Sequence, residues 1–144
     1  MKICIVIILI AITSACASSR QAVRHSSVKA AMLPDEIHYR FDSDAVLAKY
    51  QSVLNTVAEY LNNHPDRLIV VEGHTDKIGT KDYNMDLGDR RALNAKALLV
   101  KQGVAEDRII SVTFGEDQQA YPKARQNRRV ILRDAALKER AGDR

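Results

Sequence analysis

Asp76 closes the run Gly73-His74-Thr75-Asp76, and Arg91 lies within Asn84-Met85-Asp86-Leu87-Gly88-Asp89-Arg90-Arg91-Ala92. A carboxylate just past a strand and a guanidinium in the early turns of the next helix can hold opposite ends of an amino-acid zwitterion. The ammonium would meet Asp76, and the carboxylate would meet Arg91 as a bidentate pair. Hydrogen bonds to charged groups contribute roughly 1.5–3 kcal/mol each, so losing one should weaken binding about 10- to 150-fold. Taken singly, each residue has a plainer role: Asp76 a loop cap, Arg90 and Arg91 solvated helix charges, Asn84 an N-cap. Their grouping favours a site, because ligands on open α/β sheets lodge beyond strand C-termini and beside helix N-termini. Gly79 supplies the turn that brings the two charges together. Gly88 costs its helix about 1 kcal/mol relative to Ala, which signals close approach of a ligand or of backbone.

Other chemistries find little support. His25, His38, His64 and His74 are scattered, with no pair at metal-ligand spacing. Asp42, Asp44 and Asp76 could supply an acid and a base, but no Ser-His or Cys-His arrangement accompanies them. A cell-wall hydrolase is therefore the weaker alternative; a binding module without metal or cofactor is the expectation. The net charge of +4 is too small to indicate nucleic acid, and basic residues are not interleaved with aromatics.

The elements that must position these residues follow from periodicity. Glu36 to Phe41 alternates, with Ile37, Tyr39 and Phe41 on one face, as a half-buried strand does. Asp42-Ser43-Asp44 reads as helix-capping sequence. Val46, Leu47, Tyr50, Val53, Leu54, Val57, Tyr60 and Leu61 then recur at helical steps until Asn62-Asn63-His64-Pro65. Leu68-Ile69-Val70-Val71 is a continuous apolar run, predicting a central strand buried on both faces and ending at Gly73. Lys77 to Tyr83 reads as a loop. A second helix spans about Tyr83 to Gln102, closed by Gly103 with Val104 as its apolar contact. Arg108–Phe114 and Arg129–Arg133 are two further strands joined by Gly115–Asn127. The predicted fold is α/β, an α+β sandwich of order β-α-β-α-β-β. Two helices pack on one face of a mixed sheet, and the opposite face is partly wet or covered by the tail. Apolar residues form 46% of the 144, with no Trp, two Phe and five Tyr, so aliphatic side chains must fill this single core.

Ahead of that domain, Met1-Lys2 and the apolar run Ile3 to Ile12 make a signal peptide too short to span a bilayer, which implies export. Thr13-Ser14-Ala15-Cys16 looks like a bacterial lipobox whose cysteine is lipidated, although Thr13 stands where Leu is usual. Ala15-Cys16-Ala17 is alternatively an A-x-A-like cleavage site. Cys4 leaves with the signal, so the folded part holds no disulfide. The expected division is signal peptide 1–15, lipidated Cys16 and tether to 33, domain 34–134, and a charged tail 135–144. Residues 17–33, fully extended, would reach at most roughly 55 Å.

Phe41-Asp42, Gly73-His74-Thr75-Asp76, Asn84-x-x-Leu87-Gly88-x-x-Arg91-Ala92 and Asn127-Arg128-Arg129-Val130 appear in the order found in the OmpA-like domain family. The chain resembles its peptidoglycan-associated lipoprotein type over residues 34 to 134. The resemblance implies a peptidoglycan-binding domain whose ligand is the diaminopimelate of the stem peptide. Asp76 would hold the ammonium and Arg91 the carboxylate, with Asn84, Leu87, Phe41 and Asp42 lining the pocket. Arg128 and Arg129 match positions that close the last strand. The implied protein is not an enzyme. It is anchored by lipid in the outer membrane, faces the periplasm, and ties that membrane to the cell wall. Other envelope proteins, such as a Tol-like complex or outer-membrane proteins, are further implied partners. A secreted or complex-associated assembly protein using the same domain is the alternative. Gly115–Asn127 looks shorter than the family's insertion, and His38 and Arg40 make the first strand more polar than usual.

Overall fold

The computed structural model describes residues 36–135. The signal segment, Cys16, the tether and residues 136–144 of the tail lie outside the described residues. Four strands form one sheet: β1 (Glu36–His38), β2 (Ile69–His74), β3 (Ile109–Gly115) and β4 (Arg129–Asp134), in the order β1-β4-β2-β3. β2 and β3 are parallel, whereas β4 runs antiparallel to both β1 and β2. Helices α1 (Gln51–Asn63) and α2 (Lys81–Lys101) each connect strands of like direction, and a single turn α3 (Ala124–Asn127) precedes β4. The mixed sheet with two principal helices is the architecture expected from the periodicity.

Ile69, Val71, Val130, Leu132 and Ile109 point from the sheet toward Leu54, Val57, Ala58 and Leu61 of α1 and Ala92, Ala95 and Leu99 of α2, making one aliphatic core. Gly103, at φ +90, ends α2, while Val104 N–H donates to Leu99 O at 3.2 Å and its side chain is buried. Beyond the end of α1, the Arg108 guanidinium donates to Leu61 O, His64 O and Arg67 O, tying the start of β3 to the turn that leaves the helix.

Several expectations need correction. β1 stops at His38, because Asp42 adopts φ 51 in a turn that redirects the chain. Asp42-Ser43-Asp44 caps no helix: α1 begins at Gln51 after a 3-10 turn over Ala48–Tyr50, with no side-chain cap. Those residues instead bind α2. Asp42 accepts from the Tyr83 hydroxyl, Asp44 pairs with Arg90 at 3.2 Å, and Asp44 O accepts from Asn94 Nδ2 at 3.1 Å. α2 starts earlier than predicted, capped by Thr80, whose Oγ1 accepts from Tyr83 N. Asn84 is consequently one turn inside the helix and is no N-cap.

The face away from the helices mixes charged with apolar side chains, since Val70, Ile110 and Ile131 stand in register with Arg133 and Glu72. Glu36, Glu72, His74, Arg129 and Arg133 line it; Arg133 Nε donates to Glu72 Oε2 at 2.9 Å, and Arg129 lies 3.7 Å from Glu36. The β3–β4 connection covers part of this face, with the Tyr121 hydroxyl on Glu36 and the Arg129 guanidinium over the Tyr121 ring.

Candidate functional site

β1 and β2 run in the same direction and β4 runs against them, so one edge of the sheet gathers four features. These are the residues after β1, the residues after β2, the start of β4 and the N-terminal half of α2. Phe41, Asp42, Asp76, Asn84, Leu87, Arg91 and Arg128 all belong to that edge. A pair of glycines lets α2 approach closely. A Cβ on Gly73 would overlap the Gly88 carbonyl, and one on Gly88 would overlap Thr113 Oγ1. The cost of Gly88 in its helix therefore serves backbone approach between α2 and the sheet.

Arg91 is wholly buried. Its Nε donates to Ser43 O at 2.8 Å, Nη1 to His74 O at 2.8 Å, and Nη2 to Arg40 O at 3.3 Å. Its guanidinium also lies 5.1 Å from the centre of the Tyr39 ring. One side chain thus ties the loop after β1 to the end of β2. Burial pulls Arg91 down to about 10, opposed by Tyr39 and the Asp76 carboxylate and reinforced by Arg128. It therefore remains a cation at neutral pH.

Asp76 is 3% exposed, so its carboxylate must be matched by donors. Oδ1 accepts from Ile78 N at 3.2 Å, the short-range loop cap, and Oδ2 accepts from Arg128 Nη1 at 2.8 Å. Arg128 thus lies at the site, beyond its predicted role of closing the last strand, and it approaches the ring of Phe41 at 5.9 Å. Arg129 enters β4 and is buried. Phe41 is exposed, while Leu87 is buried. Asn84 is 1% exposed; its Nδ2 donates to Glu116 Oε2 at 2.5 Å, and its Oδ1 has no partner. Thr75 Oγ1 is a second buried atom without one.

The sequence reading missed Arg128 and Glu116. Arg128 is far from Asp76 along the chain, and only the antiparallel return of β4 brings it back. Glu116 directly follows Gly115, whose φ of +49 turns the chain from β3 toward Asn84. Asn127 orders the rest of that connection, accepting from Ala120 N and Tyr121 N at 3.0 Å each. Among the described residues, no three His, Cys, Asp or Glu side chains converge to hold a metal. What the arrangement offers is one buried carboxylate ion-paired with Arg128 and in the field of the buried Arg91, with unpartnered polar atoms on Thr75 and Asn84.

The OmpA family model matches residues 38–133. The peptidoglycan-associated lipoprotein of Mesorhizobium japonicum is 40% identical over 84 residues, covering 58% of this chain and 50% of that protein. The peptidoglycan-associated lipoprotein of Haemophilus influenzae is 36% identical over 104 residues, 67% of this chain and 66% of that protein. The chain spans about half to two thirds of the length of these curated relatives. The crystal structure of the peptidoglycan-associated lipoprotein from Burkholderia pseudomallei aligns with a TM-score of 0.68 at 33% identity, covering 69% of this chain and 89% of that one. The C-terminal domain of Helicobacter pylori MotB aligns at a TM-score of 0.64 and 20% identity, over 75% of this chain and 92% of that one, a likeness of fold alone.

Proposed function

Because this chain belongs to the OmpA family, we propose that it binds peptidoglycan non-covalently and ties the outer membrane to the cell wall. The ligand is the diaminopimelate of the stem peptide, whose free ammonium and carboxylate form a zwitterion. Asp76 takes the ammonium, and Arg91 supplies the positive field for the carboxylate. Asn84 and Leu87 form the wall, while Phe41 and Asp42 form the rim. The observation that carries this reading is the placement of a 3%-exposed carboxylate within the field of a fully buried guanidinium, at the sheet edge where β2 ends. The unpartnered Thr75 Oγ1 and Asn84 Oδ1 support it, since buried polar atoms without partners suit a polar ligand. The names of the relatives support the cell-wall ligand.

The protein acts as a binding module and not as a catalyst. Cys16 carries the lipid, the outer membrane holds it, and the domain faces the periplasm, where other envelope proteins are further partners. Mass spectrometry of the mature N-terminus tests the anchor: an acylated Cys16 supports it, and an unmodified Ser18 terminus removes it.

The test of the site is co-sedimentation with purified sacculi. Asp76→Asn keeps the shape and removes the charge, and binding should fall roughly 10- to 150-fold. Retention equal to that of the unaltered protein, with the variant folded, would remove Asp76 from the site.

A further inference from the structure

Arg128 occupies an unusual position for a residue that only closes a strand. Its Nη1 is held on Asp76 Oδ2 at 2.8 Å, and its Nε is buried without a partner. The side chain as a whole is 17% exposed. Arg91 differs: it is fully buried, and its Nε, Nη1 and Nη2 each already donate to a backbone carbonyl. Of the two guanidiniums at this site, Arg128 is the one that is not wholly buried.

A ligand ammonium on Asp76 would stand beside a guanidinium already bonded to the same carboxylate. Two like charges at that spacing repel, and low local dielectric strengthens the repulsion. A second ligand carboxylate placed on Arg128 would offset it, giving alternating signs around Asp76. The planar fork of Arg suits a carboxylate, and tethering to Asp76 pre-orders it.

We propose that Arg128 is a specificity-determining residue that takes a second ligand carboxylate, so that the site prefers a diaminopimelate ending its stem peptide. In that residue the α-carboxylate is free; when the peptide continues, it is consumed in an amide. The inference rests on the diaminopimelate reading of the site and adds a choice among stem lengths.

The test is calorimetric titration with two peptides: L-Ala-γ-D-Glu-meso-diaminopimelate, and the same tripeptide amidated at the diaminopimelate α-carboxyl. The unaltered protein should bind the free acid about 10-fold more tightly than the amide. Arg128→Gln should bind both peptides equally, and Arg128→Lys, which keeps the charge without the fork, should show an intermediate ratio. Thermal unfolding of both variants accompanies the titrations. Equal affinity of the unaltered protein for the two peptides overturns the inference while leaving the diaminopimelate site standing. So does a preference undiminished in folded Arg128→Gln or, should that variant not fold, in Arg128→Lys. Binding of neither peptide by the unaltered protein overturns the site and the inference together.

Discussion

Arg91 serves the fold as much as the ligand, and that dual role shapes how it can be tested. Its guanidinium closes three backbone carbonyls from two separate segments. Arg91→Ala would leave the buried His74 carbonyl unpaired and open two part-buried ones, at a cost of about 1–3 kcal/mol, and denaturant unfolding should show that loss. A variant as stable as the original would contradict this bonding. His74 supplies one of those carbonyls and has a titration of its own. Its ring is fully buried and stacks on Phe114, with neither nitrogen hydrogen-bonded and Glu72 Oε2 at 3.8 Å. Burial, helped by Arg129 and Arg133, lowers it from 6.5 to about 4. Between those values the unfolded chain takes up a proton that the folded chain refuses. Stability is therefore full above about pH 6.5 and is lost as pH falls toward about 4. Urea unfolding at about pH 7.5 and about pH 4.5 should show a drop that shrinks by about 2 kcal/mol in His74→Leu. An identical drop in both proteins would contradict this origin.

At the scale of elements, the seating of α2 on β2 and β3 decides whether the site exists, and it depends on two glycines. Gly73→Ala sets a methyl group into the Gly88 carbonyl, backbone against backbone, and should cost about 3 kcal/mol or more. Helix propensity alone favours Gly88→Ala by about 1 kcal/mol. Crowding against Thr113 should reverse that sign, and adding Thr113→Ala should restore part of the loss. A stabilised Gly88→Ala in thermal unfolding would show that the helix can lift without penalty. The helix and its Gly103 stop were legible because local spacing and capping chemistry determine them. The start of α2 was less so: Thr80 caps it, but Gly79 and the polar residues around it read as a loop. Asp42-Ser43-Asp44 misled for a physical reason. Short polar side chains that can cap a local helix can equally bind a distant one, and here Tyr83, Arg90, Arg91 and Asn94 of α2 capture this segment.

For the whole molecule, strand order converts distant sequence into one edge. Loops from β1, β2 and β3 and the entry to β4 meet there because the first three strands run one way and the fourth returns. That long-range convergence is why Arg128 and Glu116 escaped a reading built on local pattern. The face away from the helices is partly closed by the Gly115–Asn127 connection, through Tyr121 on Glu36, and stays partly wet at Ile110 and Arg133. The central claim is that this edge holds an amino acid bearing both an ammonium and a carboxylate. Calorimetric titration with L-Ala-γ-D-Glu-meso-diaminopimelate and with the tripeptide ending in L-lysine tests it most directly, since lysine keeps the ammonium and lacks the side-chain carboxylate. The diaminopimelate peptide should bind at least about 10-fold more tightly; equal affinity for the two peptides, or binding of neither, would contradict the claim.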